Sequence, residues 1–213
     1  LDWVSHSQTG LPVIKQPPFF IFEKLNQPKH PNGLINIELQ AGRAFGSGHH
    51  QTTRGCLIML DKLLKRTQPK FILDLGCGSG ILAIALAKAT HKKIKASDID
   101  PEAVAMTQKN SCLNHVRHLV QVYESDGFNR LERGQKTFDL IVANILSNTL
   151  KRLAHDLTNR LSPPLYPNRG GSLILSGILN KQQQQITATM RQFGLCLQEK
   201  IILDEWTTLC FRR

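Results

Sequence analysis

The chain has 213 residues, 41% of them hydrophobic and 20% charged, which suits one globular domain with a small extension. It has no apolar run near the roughly 20 residues that span a bilayer and no signal-like start, so we expect a cytoplasmic protein. Five widely spaced cysteines without a C-x-x-C pair suggest neither a disulfide framework nor a zinc site. The formal net charge of +11 leaves two interpretations open, an encounter with RNA or a ribonucleoprotein, or a merely basic surface.

The first 40 residues contain five prolines around the apolar stretch Phe19-Phe20-Ile21-Phe22. This pattern is typical of strands and turns rather than helices. We therefore predict a connector over residues 1–40 that packs on a catalytic domain over residues 41–213.

Secondary structure alternates through the rest of the chain. Apolar residues from Cys56 to Leu64 recur at helical spacing, with Thr52 or Thr53 available to cap that helix. Strands are predicted at 71–75, 94–98, 118–123, 138–143 and 172–176, helices at 80–89, 101–113, 146–161 and through Gln182–Gln185, and closing β segments at 195–203 and 206–212. This order predicts an α/β fold, with a central, mostly parallel sheet and helices on both faces.

A glycine loop lies where the first of these strands ends and a helix begins. It reads Asp74-Leu75-Gly76-Cys77-Gly78-Ser79-Gly80. Glycines allow a tight turn and the close approach of a ligand, and the N–H groups of the helix start favour an anionic group. The spacing G-x-G-x-G after Asp74 is typical of methyltransferases rather than of dehydrogenases, which carry G-x-G-x-x-G. A purely structural turn would need the same residues.

Two aspartates follow the next predicted strand. Asp98 can accept hydrogen bonds from both hydroxyls of a ribose. It could instead cap the helix that begins near Pro101, although Asp100 is the better candidate for that cap. Asp126, after the third strand, could receive an adenine amino group or could simply be solvated.

Asn144 ends the fourth predicted strand. Ligands bind at the carboxyl ends of parallel strands, so Gly76, Asp98 and Asn144 should converge on one crevice. Methyltransferases that act on adenine N6 or glutamine amides carry Asn-Pro-Pro-Tyr here, whereas this chain has Asn144-Ile145-Leu146-Ser147. A planar amide or base nitrogen is thus disfavoured as the methyl acceptor, and an amine is more plausible.

Residues 44–53, Ala-Phe-Gly-Ser-Gly-His-His-Gln-Thr-Thr, form a small-residue segment that enters a helix. Such a segment suits a flap over a cofactor, with packing or substrate gating as the alternative role. The adjacent side chains of His49 and His50 point apart, and no further ligands accompany them at metal-binding spacing, so we expect no metal.

Segment 44–53, the glycine loop, Asp98-Ile99-Asp100-Pro101 and Ala143-Asn144-Ile145-Leu146 together closely resemble the bacterial ribosomal protein L11 methyltransferases. The resemblance covers essentially the whole chain. It implies a class I, Rossmann-like fold that uses S-adenosyl-L-methionine to N-methylate lysine side chains and the N-terminal amine of L11. It also implies a cytoplasmic enzyme that meets L11 free or during ribosome assembly, and we expect a monomer that requires neither a membrane nor nucleic acid.

The resemblance assigns Thr53, Gly76, Asp98 and Asn144 to cofactor contacts, and places Phe45 over the methionine end and the acceptor channel. The residue patterns add Asp74, Gly78, Gly80 and Asp126 to the predicted cofactor site. Within the reaction, Asn144 would orient the acceptor amine, and His49 or His50 would take its proton through water.

Two departures from the family accompany the resemblance. The family carries an N-terminal domain that docks the ribosomal protein, and only its connector is expected here. The stretch 162–170 is longer than the usual short turn. An RNA methyltransferase and a non-catalytic domain that binds S-adenosylmethionine are the rival functions, and a nicotinamide dehydrogenase is a more distant one.

Overall fold

A computed structural model describes residues 13–23, 31–40, 50–129, 137–164 and 170–213. No helix within these ranges is both long and apolar enough to cross a membrane.

A three-stranded sheet precedes the main domain. It consists of β1 (Ile14–Gln16), β2 (Phe19–Glu23) and β3 (Ile35–Leu39), with β2 antiparallel to β1 and parallel to β3. Strands over this segment are therefore confirmed, whereas its separation from the catalytic domain as a connector stays a prediction. Phe19, Ile37 and Leu39 are buried in one cluster with the first two helices of the main domain, so the small sheet lies against them.

The main sheet has seven strands. These are β4 (Ile72–Leu75), β5 (Ile94–Asp98), β6 (Val120–Glu124), β7 (Leu140–Asn144), β8 (Ser172–Leu179), β9 (Cys196–Leu203) and β10 (Trp206–Arg212). Their order is β6-β5-β4-β7-β8-β10-β9, and only β10 runs antiparallel to its neighbours. The predicted α/β fold with a mostly parallel sheet is confirmed.

Helices cover both faces of this sheet. They are α1 (His50–Leu64), α2 (Ile81–Thr90), α3 (Pro101–Leu113), α4 (Ser147–Arg152), α5 (Ala154–Asn159) and α6 (Gln183–Gln192), which follows a single 3-10 turn. The first two helices share one buried cluster with the connector sheet, and α3 contacts the same face. The last three share the opposite cluster. Burial on two faces explains why the central strands are almost uniformly apolar.

Two local predictions are wrong. The helix expected over 146–161 is divided into α4 and α5 at Leu153, where a ψ of 1° lies outside the α-helical range and interrupts the helix. Leu150 and Leu157 are both buried, one on each side of this break. Neither Thr52 nor Thr53 caps α1, because the helix already begins at His50 and both threonines are buried inside it against the sheet.

The five cysteines are free, as their spacing predicts. Cys56, Cys77 and Cys210 are buried, and burial raises the pKa of the Cys56 thiol to about 12. Such a thiol stays protonated at neutral pH and packs as a small apolar side chain.

Candidate active site

The carboxyl ends of β4, β5 and β7 meet at one edge of the sheet. Leu75 pairs with Ser97 on one side and with Ala143 on the other. Gly76, Asp98 and Asn144 immediately follow or end these strands, so the structure brings the three predicted residues together. We call the region around them the crevice.

The three glycines of the loop differ in what surrounds them. All adopt positive φ, at 76° for Gly76, 53° for Gly78 and 82° for Gly80. A methyl group added at Gly76 would lie 2.3 Å from Ile145, and one at Gly80 would lie 2.8 Å from Thr107. A methyl at Gly78 would meet no atom of the described residues within 4 Å. Gly76 and Gly80 therefore allow close packing, whereas Gly78 borders space that a ligand can fill.

Asp74 lies beneath this loop. Its side chain is only 1% exposed, and its Oδ2 accepts a hydrogen bond of 2.9 Å from the backbone N–H of Ala83 in the first turn of α2. Burial, with a further contribution from the charge of Asp98, raises the pKa of the Asp74 carboxyl to about 7. The carboxyl thus joins the end of β4 to the start of α2 and holds the loop between them.

Asp98 organises the outer side of the loop. Its Oδ2 accepts a 2.9 Å hydrogen bond from the N–H of Gly78, and its Oδ1 accepts one of 3.1 Å from Asp100. A carboxylate has about four acceptor positions, so two remain for ligand hydroxyls. Asp100 itself accepts a 2.8 Å bond from the N–H of Glu102, which confirms its predicted role as the cap of α3.

Helix α3 holds the loop from the other side, which the sequence reasoning missed. The hydroxyl of Thr107 donates to the carbonyl oxygen of Gly78 at 2.9 Å, and Nδ2 of Asn110 donates to that of Ser79 at 2.8 Å. Both side chains are fully buried. The only sequence signal was two polar residues three positions apart on a helix, which is equally common on a solvated face.

Asn144 connects β7 with α1. Its Nδ2 donates to the hydroxyl of Thr53 over 3.4 Å. Its Oδ1 is buried and has no hydrogen-bond partner among the described residues. Buried acceptors are almost always paired in folded proteins, so this oxygen fits a donor supplied by a ligand, such as an amino group.

Asp126 lies beside these residues but is half exposed. The N–H of Ser125 donates to the carbonyl oxygen of Asp98 at 2.8 Å, which places the two aspartates in neighbouring segments. The Asp126 carboxylate forms a 3.5 Å ion pair with Arg152, a partner that sequence reasoning did not identify. An exposed ion pair of this kind contributes little stability, so the Asp126 carboxylate can leave Arg152 and bind a ligand instead.

Phe45 and His49 lie outside the described residues, as does the side chain of His50. Within the described ranges, no group of three or more histidine, cysteine and acidic side chains could hold a metal ion.

Comparison with known proteins decides the family. The family model for "Ribosomal protein L11 methyltransferase (PrmA)" matches residues 1–213. The chain belongs to the ribosomal protein L11 methyltransferase family. Membership makes it an S-adenosylmethionine-dependent methyltransferase. The seven-stranded, mostly parallel sheet and its match to the structure of a family member confirm the predicted class I fold.

Individual members of the L11 methyltransferase family match the chain closely. That of Mesorhizobium japonicum is 43% identical over 210 residues, which are 98% of this chain and 70% of the relative. That of a Chelativorans species is 41% identical over 214 residues, 100% of this chain and 72% of the relative. The crystal structure of the L11 methylase from Lactobacillus delbrueckii subsp. bulgaricus superposes with a TM-score of 0.82 at 28% identity, and the match covers 94% of this chain and 98% of that one.

Proposed function

We propose that this chain transfers methyl groups from S-adenosylmethionine to lysine ε-amines and the N-terminal α-amine of ribosomal protein L11. We further propose that it acts in the cytoplasm, as a monomer, on L11 that is free or being assembled into ribosomes. The relatives at about 40% identity are named for L11. The observation that carries the proposal is the buried Oδ1 of Asn144 at the end of β7, which has no hydrogen-bond partner among the described residues.

The residues of the crevice fit the cofactor. The open side of Gly78 gives a ligand access to the loop backbone, and the two remaining acceptor positions of Asp98 suit the ribose hydroxyls. Asp126 can receive the adenine amino group. Asp74, Gly76 and Gly80 shape the loop from below, and Thr53 orients the amide of Asn144. When bound, S-adenosylmethionine supplies a methyl group activated by its sulfonium.

The acceptor amine has to reach the crevice with its lone pair free. A lysine ε-amine with a reference pKa near 10.4 is mostly protonated at neutral pH, so desolvation and a route for the proton are both required. Oδ1 of Asn144 can accept a hydrogen bond from the amine and direct its lone pair towards the methyl group. A carboxamide is no base, so we assign the proton to His49 or His50, which would take it through water. Phe45 would cover the methionine end.

Asn144→Ala tests this function. We expect transfer to purified, RNA-free L11 to fall about 100-fold, comparable to the loss of one positioned polar group in other enzymes. Binding of S-adenosylmethionine, measured by calorimetry, should weaken less than ten-fold. Asn159→Ala changes an exposed asparagine on α5 and serves as the matched control. Unimpaired transfer by the Asn144 variant would contradict the assignment.

The net charge of +11 supports one rival, methylation of RNA. Parallel assays with protein-free ribosomal RNA and with RNA-free L11 separate the two. Transfer to RNA alone would favour the rival. Binding of S-adenosylmethionine without transfer to either substrate would favour a non-catalytic cofactor-binding domain.

A further inference from the structure

Cations lie near the amino ends of several strands of the main sheet. The carboxyl ends of the strands carry acidic residues, namely Asp74, Asp98, Glu124 and Asp126. The opposite edge carries cations just before β4, β5 and β6 and at the end of β10, namely Lys70, Lys92, Lys93, Arg117 and Arg212. Since the strands other than β10 are parallel, these five cations lie at the end of the sheet away from the crevice, together with Asp139 at the start of β7.

A groove of about 1000 Å³ opens at this positive edge. It lies between the end of α1, the start of β4, the start of β8 and the end of β10. Four cations line it, Lys62, Arg66, Lys70 and Arg212, against two carboxylates, Asp139 and Glu199. We call it the amino-edge groove.

The two carboxylates are already engaged. Oδ2 of Asp139 accepts the backbone N–H groups of Lys70 and Phe71 at 2.9 and 3.1 Å, and its Oδ1 accepts the hydroxyl of Ser162 at 2.8 Å. These bonds fix Asp139 in the scaffold, where it pairs with no cationic side chain of the described residues.

Glu199 pairs with Lys62 and lies 3.8 Å from Nη1 of Arg66. The Arg66 side chain remains 74% exposed. Nζ of Lys70 forms no hydrogen bond or ion pair with the described residues. Arg66 and Lys70 are therefore available to an anion outside the protein.

An aromatic side chain stands in the same groove. Phe71 follows Lys70 and is 48% exposed, although it is large and apolar. Cations beside an exposed ring form the combination by which proteins bind unpaired nucleic acid, because the cations contact phosphates and a base stacks on the ring. An acidic protein segment would use the cations without needing the ring.

We propose that the amino-edge groove binds unpaired RNA, with Arg66 and Lys70 on the phosphates and Phe71 as the stacking surface. The groove lies at the opposite end of the strands from the crevice. RNA can thus occupy it while the crevice remains open to the cofactor and an amine. The proposal stands on the groove alone and does not depend on the identity of the methyl acceptor.

The test measures binding of a fluorescent, unstructured single-stranded RNA oligonucleotide by anisotropy over a series of salt concentrations. The charge-reversal variant R66E/K70E should weaken binding at least ten-fold. It should also reduce the slope of log K against log salt by roughly 1.4, about 0.7 for each lost phosphate contact. The control K151E/K181E makes the same change of charge after β7 and β8, away from the groove, and should weaken binding less than three-fold.

Substitutions at Phe71 isolate the stacking contact. Phe71→Leu should weaken RNA binding about five-fold with an unchanged salt slope, and Phe71→Trp should retain it. Binding of S-adenosylmethionine should be unchanged in all these variants, which confirms that they fold. The proposal is overturned if the two charge-reversal variants weaken binding equally, if Phe71→Leu binds like the parent protein, or if polyglutamate binds as tightly as RNA.

Discussion

Asn110 holds the carbonyl oxygen of Ser79 with a 2.8 Å hydrogen bond from Nδ2, and its own Oδ1 accepts the N–H of Gln40 at 2.9 Å. One buried side chain thus joins the glycine loop to the segment that leaves β3. This link makes the position of the loop depend on α3 and on the connector sheet, neither of which is near it in sequence.

We expect Asn110→Ala to lower the free energy of unfolding by about 2 kcal/mol, because two backbone groups lose their partners. The affinity for S-adenosylmethionine should fall about ten-fold, since the loop loses its support. Urea unfolding and calorimetry measure the two effects. Lys109→Ala, at the exposed neighbouring position, should change neither, and an unchanged affinity in the Asn110 variant would show that α3 does not position the loop.

Asp98 and Asp100 form a natural pair for comparison. Asp98→Ala should reduce the affinity for S-adenosylmethionine at least ten-fold, because the ribose acceptor and the restraint on Gly78 are both lost. Asp100→Ala should cost about 1 kcal/mol of folding stability as a lost helix cap, with affinity nearly unchanged. Calorimetry and urea unfolding of both variants check that Asp98 acts in binding and Asp100 in stability. Equal losses of affinity in the two variants would contradict these roles.

Substitution of Gly78 tests whether the cofactor occupies the space beside the glycine loop. Gly78→Ala and Gly194→Ala both place a methyl group at positive φ where the described residues leave room, so each should cost about 1–2 kcal/mol of stability. Only the Gly78 variant should lose affinity for S-adenosylmethionine, because its methyl enters the crevice. Thermal unfolding with and without the cofactor reveals the difference. Equal stabilisation of both variants by the cofactor would argue against contact at Gly78.

The raised pKa of the buried Asp74 carboxyl predicts how the stability of the fold depends on pH. Burial raises the pKa of this carboxyl from the ordinary value of 3.8 to about 7 in the folded protein, so between these pH values only the unfolded chain releases the proton. The protonated carboxyl therefore stabilises the fold most below about pH 4. This contribution to the free energy of unfolding, at most about 4 kcal/mol, is lost as the pH rises through 7.

Asp74→Asn removes this titration and keeps an oxygen for the N–H of Ala83. The stability of the variant relative to the parent protein should therefore increase from pH 4.5 to pH 8. Urea unfolding at several pH values measures the difference. A constant difference across this range would mean that the Asp74 carboxyl is ionised in the folded protein.

The sequence by itself determined the features that neighbouring residues encode. Strand β5, helix α3 and strand β10 have the predicted bounds or nearly so, because apolar periodicity and the Asp100-Pro101 helix start are local signals. The glycine loop and the residues that end β5 and β7 could be placed at one edge because parallel strands align their carboxyl ends. The family resemblance likewise depended on short, contiguous motifs.

Only the tertiary structure decided what depends on contacts between distant segments. Leu153, with a ψ of 1°, interrupts a helix that looks continuous in the sequence. The apolar spacing of Leu150, Leu153 and Leu157 continues across this break, so periodicity could not reveal it. Thr107 and Asn110 support the loop from about 30 residues away, and Oδ1 of Asn144 has no partner among the described residues although its amide meets Thr53. The amino-edge groove is likewise formed by segments that are distant in sequence, namely α1, β4, β8 and β10. The apolar periodicity of the sequence indicates which face of a helix or strand is buried. Which element covers that face is determined only by packing in the tertiary structure.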